Sequence, residues 1–325
     1  MKQKILTTLI GLFLINLTFG QDKEKYAELT QEAYDLLQAK EYINSAKKYE
    51  EAFVEFNGKA EWWDRYNVAC SYSLSANPDP SFYHLFRLAN DSKYDDHLHI
   101  TNDPDLIPLY KDKRWNELIS LVKTNKEKKE ANWNKPLVAI LDTVFDEDQK
   151  YRLQMDEIEQ KYGWESNEII AHWRLINRKD SINLIKIKKI LDEKGWLGAD
   201  IIGKQGNSTL FLVIQHADPG TQRKYLPLMR EAVQKGNASP SSLALLEDRV
   251  ALGQGKRQIY GSQVGRDQES GEYYVLPLED PNNVDKRRAT VGLGTLQDYI
   301  ANWGMTWNVE EYIKKLPELE SKEKK

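Results

Sequence analysis

Five residues between positions 33 and 52 return 36 places later: Ala33, Leu36, Ser45, Tyr49 and Ala52 are matched by Ala69, Tyr72, Ser81, Leu85 and Leu88. Self-similarity at a fixed period of this size marks a supersecondary unit that stacks on copies of itself. In both copies a helical stretch carries a small residue where a partner helix must come close. A turn follows, Lys40-Glu41 in the first copy and Asn77-Pro78-Asp79-Pro80 in the second. A second helix then shows its small or apolar side at i, i+4 and i+7. The spacing thus predicts antiparallel helix pairs that cannot bury their apolar faces alone.

On these residues the segment resembles the tetratricopeptide repeat, a helix–turn–helix of about 34 residues. The resemblance lies in the small and aromatic packing positions. The repeat's usual closing proline is absent, and Asn57-Gly58 stands in its place. Residues 103–110 read as a loop punctuated by Pro104 and Pro108. Residues 114–122 read as a closing helix with Trp115, Leu118, Ile119 and Val122 in one stripe. Two repeats and a cap are fewer than the three units such arrays normally need. This half is therefore expected to pack against the rest of the chain or a partner. The resemblance implies a concave groove for a peptide or protein; a spacer that positions the next domain fits the same residues.

Composition narrows the class. Apolar residues are 40% and charged residues 30%, as in a soluble globular protein. The first 20 residues differ. Lys2 and Lys4 precede an apolar run from Ile5 to Leu17 that is short for a bilayer span, and Thr18-Phe19-Gly20 offers small residues for cleavage before Gln21. Residues 1–20 are read as a signal peptide, with an uncleaved anchor as the alternative. The mature protein is then exported, periplasmic or secreted. No cysteine follows the run, which excludes a lipoprotein anchor. Without Lys2 and Lys4, 44 basic against 50 acidic residues leave a net charge near −6, which argues against nucleic acid. Cys70 is the single cysteine, so no internal disulfide forms; its apolar helical context makes it a small core residue.

The charge-dense stretch Lys123–Asn134, followed by Pro136, is the candidate boundary. Beyond it, an amphipathic helix from Leu137 is expected to continue through Tyr151, Met155 and Ile158 to Gly163. A long helix from Asn167 to Glu193 carries Ile170, Trp173, Ile176, Ile182, Ile185 and Ile190, with Gly195 as its stop. Ser208–His216 has strand propensity, but Asn207 or Ser208 as a cap and Leu210, Val213, Ile214 and Ala217 on one face favour a helix. Helices follow at 222–234, 240–252 and 296–303. A β-hairpin is expected from 258–263 and 272–276, and the Lys/Glu-rich end reads as a solvated tail. The fold class is mainly α: a short tetratricopeptide-like α-solenoid and a helical C-terminal domain with one small hairpin. The divisions are 1–20, 21–125, 126–310 and a charged tail at 311–325.

The last third gathers polar residues in apolar contexts, which need partners or a ligand once buried. His216 is the candidate acid–base, with Asp218 to orient it and Asp248 to complete a site. Gln215, Arg249, Gln258, Tyr260, Gln263, Arg287 and Arg288 are candidate ligand-binding residues. A buried Asp248–Arg249 ion pair tying a helix to the hairpin is the structural alternative. Gln258, Tyr260 and Gln263 are expected on one strand face. No metal or cofactor is expected, since the only other histidine of this half is His172. Gly261-Ser262-Gln-Val-Gly265 is not a nucleophile elbow, and Gly253-x-Gly255-Lys256 is too short for a phosphate-binding loop.

Residues of about 140–305 resemble an uncharacterised bacterial domain family found in exported proteins, sometimes after tetratricopeptide repeats. The matching residues are Asp180, Asn183, Gly195-Trp196, Gly203, Gln215-His216-x-Asp218, Gln222 and Asp248-Arg249. They continue with Gln258-x-Tyr260-Gly261-x-Gln263, Asp285-x-x-Arg288 and Gly292-Leu293. Leu197 departs from the expected proline. The resemblance implies a domain and a polar cluster but no reaction. Two functions follow: an exported interaction or scaffold protein with a ligand-binding or structural module, or a hydrolase-like enzyme with His216 as acid–base and arginines binding an anionic substrate.

Overall fold

The computed structural model describes residues 23–267 and 270–322. The expected signal peptide, residues 1–20, lies outside them. The chain divides into two compact units, Met1–Ala131 and Asn132–Lys325. It is mainly α, with a single two-stranded antiparallel sheet among the described residues. No described helix is long and apolar enough to cross a membrane.

In the first unit α1 (residues 23–38) pairs with α2 (Tyr42–Glu55), and α3 (Trp62–Leu74) with α4 (Pro78–Asp91). The 36-residue period is written into the hydrogen bonds. Ser45 Oγ donates to the Ala33 carbonyl at 2.7 Å, and Ser81 Oγ donates to the Ala69 carbonyl at the same distance. Ala33 and Ala69 are fully buried, which is why a helix can approach that closely. The turns repeat as well. Lys40 and Ala76 both adopt positive φ, and each following amide reaches back to the preceding helix, Glu41 to Leu36 and Asn77 to Tyr72. A third pair is broken on its first side: α5 (His97–Asn102) gives way to a 3-10 turn over Pro104–Leu109 before α6 (Lys113–Lys129). Trp115, Leu118 and Val122 of α6 join the core formed by Phe82, Leu85 and Leu88.

The second unit opens with α7 (Lys135–Arg152) and α8 (Met155–Tyr162). The expected single helix is interrupted at Leu153 and Gln154, where a turn leaves Leu153 exposed. Next come α9 (Asn167–Lys194), α10 (Ala199–His216), α11 (Pro219–Gln234) and α12 (Pro240–Leu252). Leu137, Leu141 and Val144 of α7 pack against Ile187 and Leu191 of α9, Leu210 and Ile214 of α10, and Met229 of α11. Each such side chain contributes about 1.5–3 kcal/mol by leaving water. On α9 the buried face is Ile169, Ile176, Asn183, Ile187 and Ile190, whereas Ile170, Trp173, Ile182 and Ile185 are exposed.

Ser208–His216 is helical, as expected, but neither Asn207 nor Ser208 caps it. The helix starts at Ala199, and Asn207 instead donates its amide to the carbonyls of Leu197 and Asn237. Gly203 kinks it with φ 70° and ψ 166°, a region that essentially only glycine visits. A Cβ there would also sit 2.9 Å from the Trp133 ring. The kink sets the direction in which the rest of α10 delivers His216.

The hairpin's second strand lies within the expected 272–276, but its first strand lies later than expected. The two strands are β1 (Val264–Arg266) and β2 (Tyr273–Val275), with Val264 opposite Val275. Residues 258–263 form only an isolated bridge between Gln258 and Leu278. The amides of Ile259, Tyr260 and Ser262 are taken by the Asp248 carboxylate, and Gly261 at φ +69° turns the backbone out of a pleat. Short helices α13 (Val284–Thr290) and α14 (Leu296–Ile300) follow. The end is not a solvated tail through its described length. Val309–Lys322 forms α15, whose Tyr312, Leu316 and Leu319, one helical face, seal a second core with Val275, Leu278 and Leu296.

Candidate functional site

α10 ends at His216 because the next residues start another helix. Asp218 is the N-cap of α11: its Oδ1 accepts the Thr221 amide at 3.0 Å and its Oδ2 accepts the Thr221 hydroxyl at 2.6 Å, with Pro219 at the first helical position. Gln222 fastens the corner by donating Nε2 to the carbonyls of Gln215 and Ala217, each at 2.9 Å. The imidazole is thereby fixed at the wall of a cleft of about 260 Å³, whose polar lining includes Asp148, Asn177, Asp180, Ser181 and Asp218.

Asp218 does not orient His216, as the sequence suggested, because both its oxygens are turned to its own helix. Asp148 of α7 does. Its Oδ1 lies 3.1 Å from His216 Nδ1, and its carboxylate is 1% exposed against 18% for the imidazole. Arg152, one turn on, lies 3.4 Å from the same oxygen and donates to the Asp148 carbonyl at 2.6 Å. Its other nitrogen reaches Asp180 of α9 at 2.7 Å. Asp180 Oδ1 and Asn183 Oδ1 are buried without a hydrogen-bond partner. Burial works to raise the Asp148 carboxyl, but the hydrogen bond and charge of His216, with Arg152 and Gln149, outweigh it and hold the group below its usual range. Thr221, through its hydroxyl and amide, holds Asp218 down as well.

This fixes a pH dependence. A carboxyl whose value is lower in the folded state stabilises the fold above its unfolded value and loses that contribution as the pH falls. Asp148→Asn should cost about 2 kcal/mol at neutral pH. The gap to the parent should close as the pH drops below the ordinary carboxyl value of 3.8, which acid unfolding of the two proteins measures.

The other sequence candidates gather around a loop. Asp248, fully buried, accepts the amides of Ile259 at 2.6 Å, Tyr260 at 2.9 Å and Ser262 at 2.9 Å. No ion pair with Arg249 forms; the acid's oxygens are filled by amides. Burial pushes the Asp248 carboxyl up, and those amides draw it part of the way back. Gln258 donates to the Gln263 and Leu276 carbonyls and accepts the Gln263 amide at 2.8 Å. Gln263 donates its side chain to Ser262 Oγ. Arg287 donates to the carbonyls of Ile259, Glu279 and Asp280. Arg288, 2% exposed, donates to Gly294 at 2.6 Å and to Tyr260 at 2.8 Å, with its guanidinium over the Tyr299 ring. Tyr260 is thus held by its backbone on both sides. Arg249 stands between the groups: it donates Nη1 to the Gln215 carbonyl at 3.2 Å, while its Nε and Gln215 Oε1 are buried without partners. Burial lowers the Arg249 guanidinium, and nearby Arg152 lowers it further.

Of the sequence candidates, then, His216 and Asp218 line the cleft; Asp248, Gln258, Gln263, Arg287 and Arg288 hold a loop. Asp148 and Arg152 were missed. Their i, i+4 spacing on one helix was the available signal. Asp180 stood among the residues of the domain resemblance, without a role.

Residues 131–309, more than half the chain, match the model of a family of unknown function, DUF6624. No curated protein and no solved structure matches the chain.

Proposed function

The chain belongs to the family of unknown function DUF6624, and on the geometry of its own side chains we propose that the His216 cleft binds a small neutral or cationic molecule and accepts a proton from it. The pairing of His216 Nδ1 with buried Asp148 carries this reading. An ionised carboxylate can only accept, so Nδ1 is the nitrogen that donates to Asp148, and whenever the ring carries a single proton its lone pair lies on Nε2. The three carboxylates around the cleft, Asp148, Asp180 and Asp218, disfavour anions, and the unpartnered Asp180 Oδ1 suits a hydroxyl or amine donor. This differs from a site of arginines binding an anionic group, because Arg249, Arg287 and Arg288 spend N–H groups on backbone carbonyls. The chemistry is general acid–base, with water or a ligand hydroxyl as the proton donor.

Ligand-observed NMR with a panel of polyols, amines and amino sugars tests the reading. Binding by the parent that is lost in His216→Ala and Asp180→Asn, with helical content unchanged, supports it. Equal binding by all three proteins removes it.

A second reading rests on a different observation, the serine–carbonyl hydrogen bonds repeated at 36 residues. They support a tetratricopeptide-like array that takes a peptide or protein partner, in a protein whose first 20 residues direct export. Capture experiments with the immobilised full chain, with and without Trp62→Ala and Tyr83→Ala at exposed positions of the array, test it.

A further inference from the structure

Cys70, Asp103 and Asp105 bring a thiol and two carboxylates together in the first unit, with one ligand atom of each within 4.8 Å of the others. Cys70 belongs to α3 and is 2% exposed, and its thiol has no hydrogen-bond partner among the described residues. The carboxylates face it because the chain turns there. Asp103 Oδ1 accepts the Asp105 amide at 2.9 Å and starts the 3-10 turn, and Tyr66, one helical turn before Cys70, donates to Asp103 Oδ2 at 2.8 Å. His99 stands on the other side of Asp103 and is the nearest further nitrogen ligand shown beside the group. Its Nε2 is 3.8 Å from Asp103 Oδ2, its Nδ1 is 2.6 Å from the Tyr94 hydroxyl, and its ring stacks on Tyr66. Among the described residues neither Asp103 nor Asp105 pairs with a lysine or arginine.

We propose that Cys70, Asp103, Asp105 and His99 bind a divalent transition cation of the zinc class. One sulfur, one nitrogen and two oxygens make the four-coordinate donor set that zinc accepts, whereas calcium and magnesium require oxygen throughout. On binding, the thiol proton leaves to solvent as the sulfur–metal bond forms. His99 ligates through Nε2 with its proton on Nδ1, donated to Tyr94, the second-shell contact that fixes such a ring. The cation balances the charge of the two carboxylates and of the thiolate formed on binding. His99, with a side chain 48% exposed, gives the ion a path from solvent.

Cobalt(II) added to the purified full chain is the probe. Cys70 is the only cysteine, so a thiolate-to-cobalt absorption band in the near ultraviolet can arise only from it. The expected result is such a band, with a proton released, displaced by zinc and abolished in Cys70→Ala. Asp105→Asn and His99→Gln should weaken binding about tenfold or more, and Tyr94→Phe about 10–100-fold. These polar variants, checked for folding by circular dichroism, keep the test valid should Cys70→Ala fail to fold. No band in the parent at neutral pH, or a binding curve unchanged in Asp105→Asn or in His99→Gln, overturns the assignment.

Discussion

Asp248→Ala should lower the stability of the second unit by about 4 kcal/mol. The carboxylate is fully buried at the end of α12 and accepts the amides of Ile259, Tyr260 and Ser262. Alanine leaves three amide groups without an acceptor, each costing about 1–3 kcal/mol when buried. Water entering the gap recovers part of that. Asp248→Asn should fall between the two, since its amide keeps one acceptor oxygen and turns a donor toward other donors. Hydrogen exchange locates the effect: the amides of Ile259, Tyr260 and Ser262 should lose protection first. Thermal unfolding unchanged within about 1 kcal/mol would mean the loop needs no such anchor.

Arg288→Ala should cost about 3 kcal/mol, because it removes the donors to Gly294 and Tyr260 and the guanidinium beneath Tyr299. Arg288→Lys should recover little, since a single ammonium cannot reproduce the fork that reaches two carbonyls. Asp248 and Arg288 grip the same residue from opposite ends, the amide and the carbonyl of Tyr260. Once either grip is gone the loop is free, so the other has less to hold. The double variant should therefore be more stable than the sum of the single losses predicts, by about 1 kcal/mol or more. Strict additivity would show that the two residues hold separate structures.

The helices were largely legible because their periods and stops are local. The Ser45 and Ser81 contacts are the repeat itself, seen as hydrogen bonds. The Asn167–Glu193 expectation meets α9 within one residue at its end. The hairpin's first strand was displaced because Asp248 takes amides that a strand over 258–263 would have given a partner. That competition depends on a side chain from the preceding helix. The C-terminal helix was hidden by its Lys and Glu content, although the helical spacing of Tyr312, Leu316 and Leu319 was there to be read.

The site was legible in half. His216 carried its own chemistry, and its context marked it out. Its partner Asp148 lies 68 residues earlier on another helix, and no local pattern links the two. The arginines looked like ligand groups because a buried guanidinium in a sequence does not say what it is paired with. Here the partners are main-chain carbonyls, which no side-chain motif reveals.

A long-range nitrogen–proton NMR correlation on the His216 imidazole tests the account most directly. In the singly protonated ring the proton should sit on Nδ1 with Nε2 unprotonated, a preference lost in Asp148→Asn. A neutral ring carrying its proton on Nε2 in the parent protein would contradict it, since the cleft would then face a donor and have no base.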